Sequence, residues 1–275
     1  GAAMLAGSVA GGFIAQVTTL GTPYVVRALM LLVTLGVAWR FMHDLGFTPK
    51  RRAGVIVEMR IVLAGAVDGG LKNPPVRWLM LAAPFSGGVT IYAFYAMQPY
   101  LLQLYGDPSA YTIAGLAAAI VAGAQIVGGL IVPFVRRIFR RRTEAMIVGT
   151  VLNTLLLLVI GLTGSFWLAL ALLVTWGLVY AIELPLRQAF INGVIRSEQR
   201  ATVLSFDSLM ASAGGVVAQP GLGRVADVFG YSASYLVSAA IQVLAVPFVV
   251  LARRENASSD PIVDDAVEQT AVASL

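Results

Sequence analysis

Apolar residues in this chain neither alternate nor return at the spacing of a half-buried helix. They run on for about 18 to 25 positions at a time, long enough to cross a ~30 Å hydrocarbon layer as helices. Short polar or basic stretches separate the runs. The pattern predicts about eight spans: Ala2 to Val17, Pro23 to Met42, Val76 to Leu104, Ile113 to Val135, Ala145 to Leu162, Phe166 to Phe190, Val203 to Val225, and Tyr231 to Leu251.

Val55 to Leu71 imitates a further span, but Glu58, Arg60 and Asp68 lie inside it. About eight strongly apolar residues gain roughly 0.3 to 0.6 kcal/mol each on insertion, whereas each mid-span charge costs about 2.5 to 3.5 kcal/mol, so the charges win. The segment is read as an interfacial helix in the membrane surface. Pro74-Pro75 ends it, because proline cannot continue a helix and restrains the residue before it. Beyond Leu251, Arg253-Arg254 anchor the last span, and the polar, acidic stretch Asn256 to Leu275 is expected to be a disordered cytoplasmic tail.

Composition agrees with a lipid solvent. Hydrophobic residues make up 58% and charged residues 12%, against roughly 45–50% and ~25% in soluble domains. The pI near 9.7 would suit nucleic acid if a basic face lay on a soluble module, but the cations sit at span ends. Arg40, Lys50, Arg51, Arg52, Arg60, Lys72 and Arg77 fall between the second and third spans. Arg136, Arg137, Arg140, Arg141 and Arg142 follow the fourth, Arg187, Arg196 and Arg200 the sixth, and Arg253 and Arg254 the last. These connections share one side if every span crosses, and only Arg27 and Arg224 fall on the other. The positive-inside rule makes the basic side cytoplasmic. There is no cysteine and one histidine, His43 beside Asp44, so no metal site or cofactor is expected.

Leu184-Pro185-Leu186-Arg187-Gln188-Ala189-Phe190-Ile191-Asn192, followed by Arg200-Ala201-Thr202-Val203-Leu204-Ser205-Phe206, resembles the loop between the tenth and eleventh helices of bacterial major facilitator superfamily transporters. Ala3 to Gly12 is similar to that family's fifth-helix antiporter signature: Gly7, Gly11 and Gly12 match, while Ala3 and Ser8 replace a glycine and the proline. The resemblance implies an all-α polytopic membrane protein whose eight spans correspond to helices 5–12, with helices 1–4 missing. It divides the chain into 1–43 (the last two helices of the N-terminal half), 44–77 (cytoplasmic linker), 78–252 (the C-terminal six-helix half) and 253–275 (tail). Gly11 to Tyr24 is also faintly similar to Gly223 to Ala233 six helices later, the offset of parallel six-helix repeats. Gly129 and the arginines after the fourth span match the family's cytoplasmic gating signature, but Pro133 stands where its aspartate is expected. Small residues four apart, such as Gly115, Ala119 and Gly123, are read as helix packing.

Ionisable groups inside spans are functional candidates by default. Glu183 is the acid placed well inside one, and Arg187, four residues on, shares its helical face. Glu183 is either a proton carrier or the static partner of Arg187, a cation that would keep it ionised; the static pair is the favoured reading. Asp207 is read as an N-terminal helix residue and Asp227 as a partner for Arg224. For the substrate, the third span clusters Tyr92, Tyr95 and Gln98 near Pro99, and the resemblance implies that this helix lines the central cavity. Gln125, Trp176, Tyr180 and Gln219 lie on other cavity-forming helices. Aromatic walls with a few amides suit a bulky amphipathic solute. Asn153 is read as interhelical glue.

These expectations combine as alternating-access transport, most simply proton-coupled efflux of lipophilic or drug-like compounds. The protein would be a multi-pass plasma (inner) membrane monomer with a cytoplasmic C-terminus, whose partners are substrate, protons and lipids. Alternatives are nutrient (sugar or carboxylate) uptake on the same fold, or a fragment that transports nothing without helices 1–4. A membrane enzyme would need a catalytic set that the sequence does not offer.

Overall fold

The computed structural model describes residues 2–42 and 54–262. His43, the linker residues up to 53 and the tail from 263 lie outside the described residues. The described chain is helical: α1 (Ala2–Val17), α2 (Thr22–Phe41), α3 (Val55–Ala66), α4 (Pro74–Tyr105), α5 (Tyr111–Ile138), α6 (Arg142–Leu162), α7 (Phe166–Val194), α8 (Arg200–Gln242) and α9 (Val246–Arg254). Six helices among the described residues are long and apolar enough to cross a membrane. The last of these, Arg200–Arg254, has 55 residues, or about 80 Å of helix at 1.5 Å per residue. It divides at Gly230, whose φ of 86° and ψ of 165° turn the chain between two limbs, 200–229 and 231–242. Only a residue without Cβ adopts that conformation readily. The two limbs, the second continued by α9, are the seventh and eighth expected spans. By contrast α1 keeps its expected bounds, but its 16 residues rise only about 24 Å. The Val55 to Leu71 stretch is α3 followed by a π-turn, Val67–Leu71.

Close crossings hold the bundle together. At the α4–α8 crossing, a Cβ added to Gly88 would stand 2.7 Å from the Gly214 carbonyl, and one on Gly214 would overlap Pro84. Of the three signature glycines, only Gly12 has such a role: its added Cβ would meet Gly115 Cα at 2.9 Å, so α1 packs directly on α5. Gly7 and Gly11 face open space. Without a hydrophobic drive between helices in lipid, this backbone contact is what favours association.

The core has two centres. Val89, Leu157 and Tyr235 belong to one, and Met80, Met146, Phe190 and Val249 to the other. Around the first, phenols reach polar partners: Tyr100 donates to the Ile160 and Thr163 carbonyls at 2.8 and 3.0 Å, and Tyr235 to the Ala93 carbonyl at 3.0 Å.

At the other end, the arginine-bearing ends of α4, α6, α7 and α9 meet, as alternating crossings require. Trp78 Nε1 donates to Glu255 at 2.7 Å, and Arg253 to Glu144 at 2.8 Å. The stretch expected to be disordered from residue 256 is instead bound here as far as Ile262. Asp260, 1% exposed, accepts from the Thr143 amide and hydroxyl at 2.9 Å each and caps the start of α6. Ser259 donates to the Phe190 carbonyl at 2.7 Å, and the Ile262 amide to the Arg140 carbonyl at 3.0 Å. The physical reason is the first turn of α6, whose N–H groups have no intrahelical acceptors and no cap from Arg141.

Candidate functional site

The polar residues inside the bundle gather where α7 passes α6 and α4, within reach of Asp207 on α8. Arg187 donates through both terminal nitrogens to Asp207, Nη1 to Oδ2 and Nη2 to Oδ1, the latter at 2.6 Å. Its Nη2 also reaches the Leu79 carbonyl at 3.1 Å. The static partner of Arg187 is therefore Asp207, which corrects the Glu183 pair expected from helical spacing. An i, i+4 neighbour must bend toward the guanidinium, whereas Asp207, inside α8 rather than at its first turn, offers both carboxylate oxygens to its planar fork.

Glu183 is held by neutral donors instead. Thr150 Oγ1 donates to Oε1 at 2.9 Å, and Asn153 Nδ2 to Oε2 at 3.2 Å. Gly149 makes room for it, since a Cβ there would stand 3.2 Å from Oε2. No Arg224–Asp227 ion pair is found among the described residues either, and both side chains are exposed.

Beside Glu183 lies a cavity of about 130 Å³. Ser86 and Thr90 line it from α4, Asn153 from α6, Tyr180, Glu183 and Arg187 from α7, and Gln242 from the end of α8. Asn153 and Gln242 each also carry an amide oxygen that is fully buried and has no hydrogen-bond partner among the described residues.

The residues expected to form a substrate cavity are scattered. Tyr180 lines this one and stacks on Trp176, with ring centroids 6.1 Å apart and planes at 12°. Trp176 itself is core, as is Tyr92, whose hydroxyl donates to Ser234 at 2.7 Å. Tyr95, 71% exposed, Gln98 and Gln219 lie on the surface, and Gln125 is half-buried beside Gly177. Thr150 and Gln242 were not singled out by sequence, and Asp207 and Asn153 were given only structural parts. An amide in the middle of an apolar span was the available signal for Gln242. No cluster suited to a metal ion occurs among the described residues.

The major facilitator superfamily model matches residues 114–273, more than half of the chain. The chain belongs to the major facilitator superfamily. Its fold is similar to that of a bacterial homolog to the human lysosomal transporter Spinster, solved in an inward-facing and unoccupied conformation. The TM-score is 0.56 at 18% identity, over 90% of this chain and 64% of that one. The chain thus spans a little under two thirds of that protein. A search of curated proteins found no match. Membership accounts for the all-α polytopic fold.

Proposed function

We propose that the full-length protein exports lipophilic, drug-like small molecules by alternating access, coupled to protons, as a monomer in the plasma (inner) membrane. Its basic end and C-terminus face the cytoplasm, where the positive-inside rule puts them. The observation that carries this reading is the pairing around Arg187. Because Asp207 neutralises the guanidinium, Glu183 is a carboxylate within the bundle whose hydrogen bonds, among the described residues, come from Thr150 and Asn153. It can take up and release a proton without an ion pair having to break. Intramembrane acids so placed are where transporters move protons. Membership of the superfamily supports transport over catalysis, and rocking of one half against the other is how its repeats give access to both sides.

The test is Glu183→Gln in the full-length protein, assayed by proton-driven uptake of a fluorescent cationic dye into everted vesicles. The expected result is loss of proton-driven transport at normal expression. Unchanged transport with an unchanged pH profile would remove Glu183 from the mechanism.

A further inference from the structure

At the corner where α4 starts and α9 ends, cations outnumber the acids that hold them. Lys72 is paired with Asp68 at 2.7 Å, and Arg253 with Glu144 at 2.8 Å. Arg77 and Arg254 form no ion pair among the described residues. Each stands one residue from the hydrogen bond that ties the two helices, donated by Trp78 Nε1 to Glu255 at 2.7 Å. The corner therefore sets two unpaired cations against one carboxylate that is already engaged. Arg77 is half-buried, and its Cζ lies 4.6 Å from the centroid of the Trp78 ring. Such a contact orients a guanidinium without neutralising it.

From that cation an aromatic wall runs into the membrane-spanning part of the bundle. Phe248 tilts against Trp78, with ring centroids 6.4 Å apart, and stacks on Phe85 at 5.7 Å. Phe85 lies about two helical turns beyond Trp78. All three rings are half-buried, and Leu244, one turn from Phe248, is 48% exposed. Fixed positive charge at the end of a span, a tryptophan at the same level and an open apolar wall beneath it are the complement of a phospholipid, phosphate above and acyl chain below. A free anion would use the cations and leave the wall bare.

We propose that this corner binds an anionic phospholipid, with its phosphate at Arg77 and Arg254 and one acyl chain along Trp78, Phe248 and Phe85. The surplus of one positive charge selects a lipid with net negative charge over a zwitterionic one, whose own cation would be repelled. Binding there needs neither Glu183 nor a direction of transport.

The test titrates purified full-length protein in detergent with dioleoylphosphatidylglycerol or dioleoylphosphatidylcholine and reads the first bound lipid by native mass spectrometry. The anionic lipid should bind about fivefold tighter, the worth of one net charge near a membrane surface. Arg77→Gln should bring the ratio close to one, and Arg254→Gln should lower it. Arg77→Lys, which keeps the charge, should retain the preference and so separates lost ligation from misfolding. Arg224→Gln removes the same charge from an exposed position at the far end of the bundle and should change nothing. Phe248→Ala should weaken both lipids alike, because their chains are identical. Equal binding of the two lipids to the unaltered protein would overturn the assignment. So would a preference that survives the Arg77→Gln, Arg254→Gln double variant, is lost as completely in Arg77→Lys, or falls as far in Arg224→Gln. Displacement of the lipid by inorganic phosphate would give the corner to a free anion instead, and unchanged affinities in Phe248→Ala would overturn the placement of the chain.

Discussion

Asp207 and Glu183 both lie close to Arg187, the first across a helix interface and the second one turn back on the same helix. Asp207 accepts two hydrogen bonds from the guanidinium and is buried, while Arg187 is partly buried. Glu183 accepts one from a threonine and one from an asparagine, and borders a cavity. Sequence position would have assigned the two carboxylates the other way round. One cation can pair closely with only one of them, and on the function proposed above the acid left over is the one that exchanges a proton. The difference separates a fixed structural charge from an exchangeable one.

The largest expected effect comes from breaking the fixed side. Asp207→Ala strands Arg187 among apolar helices, and removing one partner of a buried pair costs about 3 to 5 kcal/mol. Thermal unfolding followed by fluorescence-detected size exclusion should show a large loss, mostly restored by adding Arg187→Met. Equal stability of Asp207→Ala and Glu183→Gln would erase the contrast. A smaller effect should follow from crowding the exchangeable side: Gly149→Val places new atoms against Glu183 Oε2 and costs about 1 to 3 kcal/mol in strain. Its transport should fall further than its melting temperature accounts for. Smallest is Thr150→Val, which removes one neutral donor at a cost of about 1 kcal/mol. In a double-mutant cycle with Glu183→Leu, which leaves no acceptor for the hydroxyl, most of that cost should vanish; a cost that persists would mean that the threonine matters to packing rather than to the carboxylate.

The spans were legible because burial in lipid demands long apolar runs, and the arginines at the Trp78–Glu255 and Arg253–Glu144 end were legible as one end for the same reason. Which residues face one another was not. Periodicity marks a helix's inner face only when its outer face is polar, and α4 or α7 is apolar all round. Tyr92 and Trp176 therefore looked like Tyr95 in sequence, yet two are core and one is exposed. Asp207 reads as a helix start until α8 is seen to begin at Arg200 and to bring that carboxylate to Arg187. The segment at Asp260 escaped for a different reason: a handful of polar residues looks unstructured unless the uncapped turn it fills is known.

Asp260 also sets an order of events during synthesis. It follows Thr143, whose amide it caps, by 117 residues. At ~5–20 residues per second a ribosome needs on the order of 6 to 24 s to travel that distance. Until then α6 stands with its first N–H groups unmet, and Arg142 lacks the carbonyls of Ser259 and Pro261 that it later binds. The helices can insert one after another as they emerge, but their basic end stays unlatched until nearly all of the described chain has been made.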